Sequence, residues 1–168
     1  MHRTTYDFPT SVCFSACMLL FAAYEDGLIC CWDINTGKFN FPLIGHANKV
    51  NHMLMSRDNQ FMISAANDCT VRKWDTETGI CDSIFKFANP ISVLFINEDL
   101  NFMYTAHWDK MVRVMDLQRQ LVLKSFVASK ETIKDLIVVG DTVIVAGCDP
   151  VIRSFNIVDG EKKQFMGH

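Results

Sequence analysis

The sequence contains no apolar run approaching the ~20 residues needed to cross a bilayer, and its opening MHRTTYDFPTS shows no apolar h-region, so no membrane span and no secretory signal are expected. Charge of one sign is also scarce. Sixteen Lys and Arg against 19 Asp and Glu leave a net charge of -3, which encodes no strong pull towards nucleic acid or an anionic membrane. There is no CxxC pair among the seven cysteines, Cys13, Cys17, Cys30, Cys31, Cys69, Cys81 and Cys148. Their number is odd and several fall on predicted strands, which reads as reduced, buried thiols in a cytosolic or nuclear setting. Cys30 and Cys31 are adjacent on a strand and point to opposite faces, which defeats joint chelation. His52 and His107 have no partner at metal-ligand spacing, so no metal site is expected. No 3.6-residue periodicity, phosphate loop or Gly-x-Ser-x-Gly elbow occurs. The reading is therefore of no catalytic residue, no cofactor and no metal.

What is present is a globular composition, 168 residues of which 49% are hydrophobic and 21% charged, enough for one ordinary domain and a sizeable core. Short β-like runs, split by Gly, Asn and Asp turns, fall into four groups of four. The first holds Ser11 to Ser15, Met18 to Tyr24, Leu28 to Asp33 and Lys38 to Ile44. The second holds Val50 to Ser56, Phe61 to Ala66, Thr70 to Trp74 and Ile80 to Phe87. The third holds Ile91 to Ile96, Asn101 to Ala106, Met111 to Asp116 and Leu121 to Val127. The fourth holds Thr132 to Val138, Thr142 to Gly147, Val151 to Asn156 and a short run ending in Phe165-Met166. Runs such as MLLFAA and TVIVAG are apolar on both faces, as in strands of sheets covered on both sides.

The groups repeat in register. Trp32, Trp74, Met115 and Phe155 are separated by 42, 41 and 40 residues, and Asp26, Asp68, Asp109 and Asp149 each stand six residues earlier. A period of roughly 40–45 residues with four strands per unit marks propeller blades. Gly45-His46 with Trp74-Asp75, Trp32-Asp33, the aspartate of each b–c turn and the closing Gly167-His168 together resemble the WD40-repeat family. The resemblance covers about Pro9 to His168. Trp-Asp drifts to Met115-Asp116 and Phe155-Asn156, and Gly-His is missing between the second and third and between the third and fourth groups.

The resemblance implies an all-β, WD40-type β-propeller arc of four four-stranded antiparallel blades in an incomplete ring. Residues 1–8 form a polar lead-in, and the blades run over about 9–44, 45–87, 88–127 and 128–166. It also implies a hydrogen-bonded tetrad of His46, Ser64, Asp68 and Trp74. The third group keeps Thr105 and Asp109, whereas Ala22 and Val145 replace the hydroxyl beside Asp26, Trp32 and Asp149. A buried indole needs an acceptor and a buried carboxylate needs donors. Ser64 sits inside an apolar strand without an elbow, so this trio is read as structural and not as a hydrolase triad. Gly167-His168 opens a fifth repeat, and an arc would leave apolar faces on its end blades. The expectation is a piece or short isoform of a longer protein, self-associating or paired with missing blades.

In this family ligands dock on the face carrying the d–a and b–c loops. The residues before each b–c aspartate, Glu25, Asn67, Trp108 and Cys148, fall there, with Lys49, Asn51, Ser92, Thr132 and Lys134 on the same rim. Trp108 leads, since Trp is enriched at interface hot spots. Arg72, Arg113 and Arg153 share one register and are expected to pack their stems between blades. The function expected is a non-catalytic protein–protein interaction scaffold or adaptor, binding proteins or peptides by this face, within the cytoplasm or nucleus and away from membranes. The alternatives are the substrate-recognition module of a ubiquitin-ligase-type assembly, or an RNA-associated WD40 module of a nuclear zinc-finger-type protein.

Overall fold

A computed structural model describes residues 8–97 and 101–166; the Gly167-His168 pair lies outside these. Sixteen strands form four four-stranded antiparallel sheets in which each strand pairs with its sequence neighbour. The first sheet is β1 (Pro9–Phe14), β2 (Leu19–Tyr24), β3 (Ile29–Asp33) and β4 (Phe39–Leu43). The second is β5 (Val50–Met55), β6 (Phe61–Ala66), β7 (Thr70–Asp75) and β8 (Cys81–Lys86). The third is β9 (Ile91–Ile96), β10 (Phe102–His107), β11 (Met111–Asp116) and β12 (Leu121–Val127). The fourth is β13 (Ile133–Val139), β14 (Thr142–Gly147), β15 (Val151–Asn156) and β16 (Lys162–Met166). No helix occurs among the described residues, and so none is long and apolar enough to cross a membrane. The sheets are those of propeller blades.

The chain divides into two compact units, Met1–Ala88 and Asn89–His168, each containing two sheets. In the first unit Phe21, Ile29 and Leu43 pack against Val50, Met62 and Trp74, all of them essentially inaccessible. Each such side chain contributes about 1.5–3 kcal/mol through removal from water. The Thr10 hydroxyl donates to the Val50 carbonyl, and the Met53 N–H donates to Ser11 Oγ, so β1 is tied to β5. In the second unit Val93, Tyr104, Val112 and Val114 meet Ile133, Leu136, Val143 and Phe155.

Two recurrent turn devices explain the repeat. Asp26, Asp68, Asp109 and Asp149 each accept, through Oδ1, the N–H of the residue two further on, at 3.0, 3.0, 3.1 and 3.3 Å. This closes the b–c turn as an Asx turn, which needs only the carboxylate. At the c–d turn Asp33, Asp75 and Asp116 accept backbone N–H groups, and Asn156 does the same with its amide oxygen at 2.8 and 3.2 Å. The Trp-Asp drift to Met115-Asp116 and Phe155-Asn156 thus keeps both functions of the pair, since Met115 and Phe155 are still buried.

Each sheet carries a β-bulge near the start of its first strand. The unpaired residues are Thr10, Asn51, Ser92 and Lys134, standing between the shifted pairs of each ladder. Such a bulge re-aims a side chain at the end of a strand. Three of these four, Asn51, Ser92 and Lys134, are among the rim residues expected from the resemblance.

Candidate functional site

The polar residues of the second sheet form one connected network. His46 Nδ1 donates to Asp68 Oδ2 at 2.9 Å. His46 Nε2 lies 2.7 Å from Ser64 Oγ, and Trp74 Nε1 donates to the same Oγ at 2.8 Å. A carboxylate accepts only, so His46 carries its proton on Nδ1, Nε2 accepts from the serine hydroxyl, and the serine oxygen is left to accept from the indole. Asp68 also takes the Thr70 hydroxyl at 2.7 Å and the Ala47 N–H at 3.0 Å. Burial pushes Asp68 up, but the bonds from Thr70, His46 and Ala47 outweigh it and hold the carboxyl below its usual range. Burial pushes His46 down, against the pull of Asp68, so the ring is neutral near pH 7. Ser64 is wholly inaccessible, which leaves no path for a substrate to a nucleophile there. Gly45 stands close under this network: a Cβ at that position would come within 3.1 Å of the Trp74 ring.

The other sheets keep the aspartate and change its partner. In the third, Arg113 pairs with Asp109 through both nitrogens, Nη1 to Oδ1 at 3.2 Å and Nη2 to Oδ2 at 2.5 Å, and Asn89 Nδ2 donates to Oδ2 at 3.0 Å. In the fourth, Arg153 Nη1 sits 3.0 and 2.7 Å from the two oxygens of Asp149. These arginines are therefore ion-paired to the b–c aspartate four residues earlier, beyond the stem packing expected for them. Where His46 already occupies Asp68, Arg72 is displaced: its guanidinium lies 5.9 Å from the Trp74 ring centroid. In the first sheet Trp32 packs against Tyr24 and Phe39, with ring centroids 6.5 and 6.1 Å apart.

His107 is the residue that sequence reasoning missed. It is fully buried at the end of β10, with Nε2 2.9 Å from Thr105 Oγ1 and Nδ1 3.2 Å from the Asn89 carbonyl. A histidine from the strand itself thus meets the Thr105 hydroxyl, as His46 from the preceding loop meets Ser64. Burial, reinforced by the nearby Arg113 charge, pushes its pKa down to about 4. The signal was available: a histidine two residues after the hydroxyl position and two before the aspartate.

The expected rim residues of the first unit bond to one another, whereas those of the second bond to neighbouring backbone. In the first, Lys49 Nζ pairs with Glu25 at 3.2 Å, Asn51 Nδ2 donates to Asn67 Oδ1 at 2.7 Å, and the Asn67 N–H donates to the Lys49 carbonyl at 2.8 Å. In the second, Trp108 is pinned by its own N–H to the Pro90 carbonyl, yet its side chain is 54% exposed. Lys110 of the same turn accepts the Ala128 N–H and approaches Glu131 at 3.8 Å, bringing the β12–β13 loop alongside. The Ser92 hydroxyl donates to the Ala106 carbonyl, the Thr132 carbonyl accepts the exposed Cys148's N–H, and Lys134 is exposed. No group of three or more His, Cys, Asp or Glu arranged to hold a metal occurs among the described residues.

Comparison with known proteins matches residues 37–75 to the WD domain, G-beta repeat model, the stretch that carries the intact network. Autophagy-related protein 16 of Arabidopsis thaliana is 24% identical over 138 residues, 80% of this chain and 27% of that protein. Nuclear distribution protein PAC1 of Candida tropicalis is 28% identical over 123 residues, covering 70% of this chain and 25% of that protein. WD repeat-containing protein 36 of Homo sapiens is 33% identical over 94 residues, 55% of this chain and 10% of that protein. The chain spans about a quarter or less of the length of these three relatives. Four four-stranded sheets, a matched repeat over residues 37–75 and WD-repeat relatives make the chain similar to WD40-repeat proteins and support that family.

Proposed function

We propose that the chain is a non-catalytic interaction scaffold whose partners, proteins or peptides, are held by the rim of d–a and b–c loops. Trp108 supplies the anchor, with Lys134, Thr132 and Ser92 in its unit and Glu25, Lys49, Asn51 and Asn67 in the other. The observation that carries this reading is Trp108: a large amphipathic side chain left 54% exposed on a turn that backbone bonds and the Asp109–Arg113 pair hold still. A rigid, exposed aromatic offers binding area at little entropic cost. His46, Ser64, Asp68, Trp74, Thr105, Asp109 and Asp149, with Asp26 and Trp32, hold the blades and do no chemistry. The chain is part of a larger WD-repeat assembly, within one polypeptide or between copies. Its short span of its relatives and the exposed apolar side chains Val12, Phe14, Ile137 and Val139 support that reading. One relative is named a subunit of a translation initiation factor, and others are named for autophagy and nuclear distribution, which supports a place in cytoplasmic or nuclear assemblies. The test places a photo-crosslinking residue at Lys134 or Asn67 on the rim and at Glu77 or Arg119 on the c–d turns. Capture of partners from the rim positions is expected; capture only from the c–d turns would overturn the assignment.

A further inference from the structure

The second unit contains a feature unrelated to the loop rim. A groove of about 500 Å³ runs between β12 and the β15–β16 turn, and continues into a second of about 200 Å³ that shares Phe155 and Lys162 with it. One wall is the continuous stretch Leu123 to Lys130, of which Leu123 to Val127 are extended strand, about 16 Å at roughly 3.3 Å per residue. The floor is aromatic: Phe126 and Phe155 lie with centroids 4.9 Å apart, and Lys162 Nζ stands 5.8 Å from the Phe155 centroid.

The charges along this groove are one-sided. Lys124, Lys130, Lys162 and Lys163 line it, with Asp159 the single acidic side chain in its lining. Lys163 is neutralised by Glu161 at 3.2 Å, and Arg153 by Asp149. Lys124, Lys130 and Lys162 have no ion pair among the described residues; Lys124 Nζ donates to the Ile157 carbonyl across the groove. Three uncompensated cations over an apolar floor, in a chain whose net charge is -3, form a local potential opposite to that of the molecule. We propose that this groove binds an extended acidic peptide segment, its carboxylates on Lys124, Lys130 and Lys162 and an apolar side chain on the Phe126–Phe155 floor. The elongated concave shape between two sheets fits a chain in extended form, with side chains alternating between floor and cations, and does not fit the flat surface of a bilayer.

The test uses the full chain and fluorescence anisotropy with three probes: a fluorescein-labelled peptide of alternating glutamate and leucine, the same peptide with lysine for glutamate, and vesicles containing phosphatidylserine. Binding of the acidic peptide alone, weakening with added salt, is expected. The Lys124→Glu/Lys162→Glu variant, which alters exposed side chains and is checked for unchanged circular dichroism, should bind the acidic peptide about tenfold more weakly or worse. Trp108→Ala should leave this binding intact, which separates failure here from failure of the rim assignment. No binding of the acidic peptide, equal binding of the lysine peptide, retention by the charge-reversed variant, or binding to vesicles in its place would each overturn the proposal.

Discussion

Replacing Ser64 with alanine removes one oxygen and orphans two buried groups. The Trp74 indole N–H, in a side chain 1% exposed, loses its acceptor at 2.8 Å, and His46 Nε2 loses its donor at 2.7 Å. Each unsatisfied buried group costs about 1–3 kcal/mol. The expected destabilisation of Ser64→Ala is therefore about 2–6 kcal/mol, a large share of the roughly 5–15 kcal/mol that holds a domain folded. Trp74→Phe removes the donor in place of the acceptor and leaves a cavity. In the double variant the two losses should not add, because the single Trp74 Nε1–Ser64 Oγ bond is broken by either substitution and can be lost only once; a coupling of about 1–2 kcal/mol is expected. Urea denaturation followed by circular dichroism reads both quantities, with the midpoint moving and the slope constant. A Ser64→Ala midpoint equivalent to less than about 0.5 kcal/mol of change, or strict additivity, would refute the view that this network holds the blade.

Three further outcomes follow from the geometry. His107, with a folded pKa of about 4 against 6.5, is more easily protonated unfolded than folded, so stability is full above pH 6.5 and is lost as pH falls towards 4. That gap is worth about 3 kcal/mol at most; a urea midpoint that stays flat between pH 7 and 4, or an unchanged slope in His107→Gln, would contradict it. Gly27 has φ +90°, and a Cβ there would come within 2.6 Å of the His46 carbonyl oxygen; Gly27→Ala should cost at least about 1–3 kcal/mol by thermal or urea melting. Burial pushes the Cys13 thiol up to about 12 and that of Cys31 up to about 11, whereas Cys17 and Cys148 are exposed. Iodoacetamide should label Cys17 and Cys148 first, read by peptide mass spectrometry; early labelling of Cys13 would count against the packing of β1 on β5.

The strand plan was legible because turns and apolar runs are local. Asn35-Thr36-Gly37, Thr76-Glu77-Thr78-Gly79 and the b–c aspartates punctuate the chain by their own hydrogen bonds, so period and register survive even where Trp gives way to Met115 or Phe155. The set His46, Ser64, Asp68 and Trp74 was legible only through its resemblance, because its members meet across 28 residues of chain. Why the aspartate persists without its histidine was not legible. It needed the sight of Arg113 and Arg153 reaching back four residues along the same hairpin. His107 was missed for a related reason: its partners, a hydroxyl on its own strand and a backbone carbonyl, meet it only in the fold, although its place two residues after Thr105 and two before Asp109 was there to be read. The bulges at Asn51, Ser92 and Lys134 likewise have no mark in the residue types, although they decide where those side chains project.

The central claim is that buried polar residues hold the blades while the exposed rim binds. It is tested most directly by one variant measured in two ways. Trp108→Ala, made in the intact chain, should keep the urea midpoint of the parent, since the side chain is 54% exposed, and should lose most of the proteins captured from an extract. An unchanged capture profile at an unchanged midpoint would contradict the account.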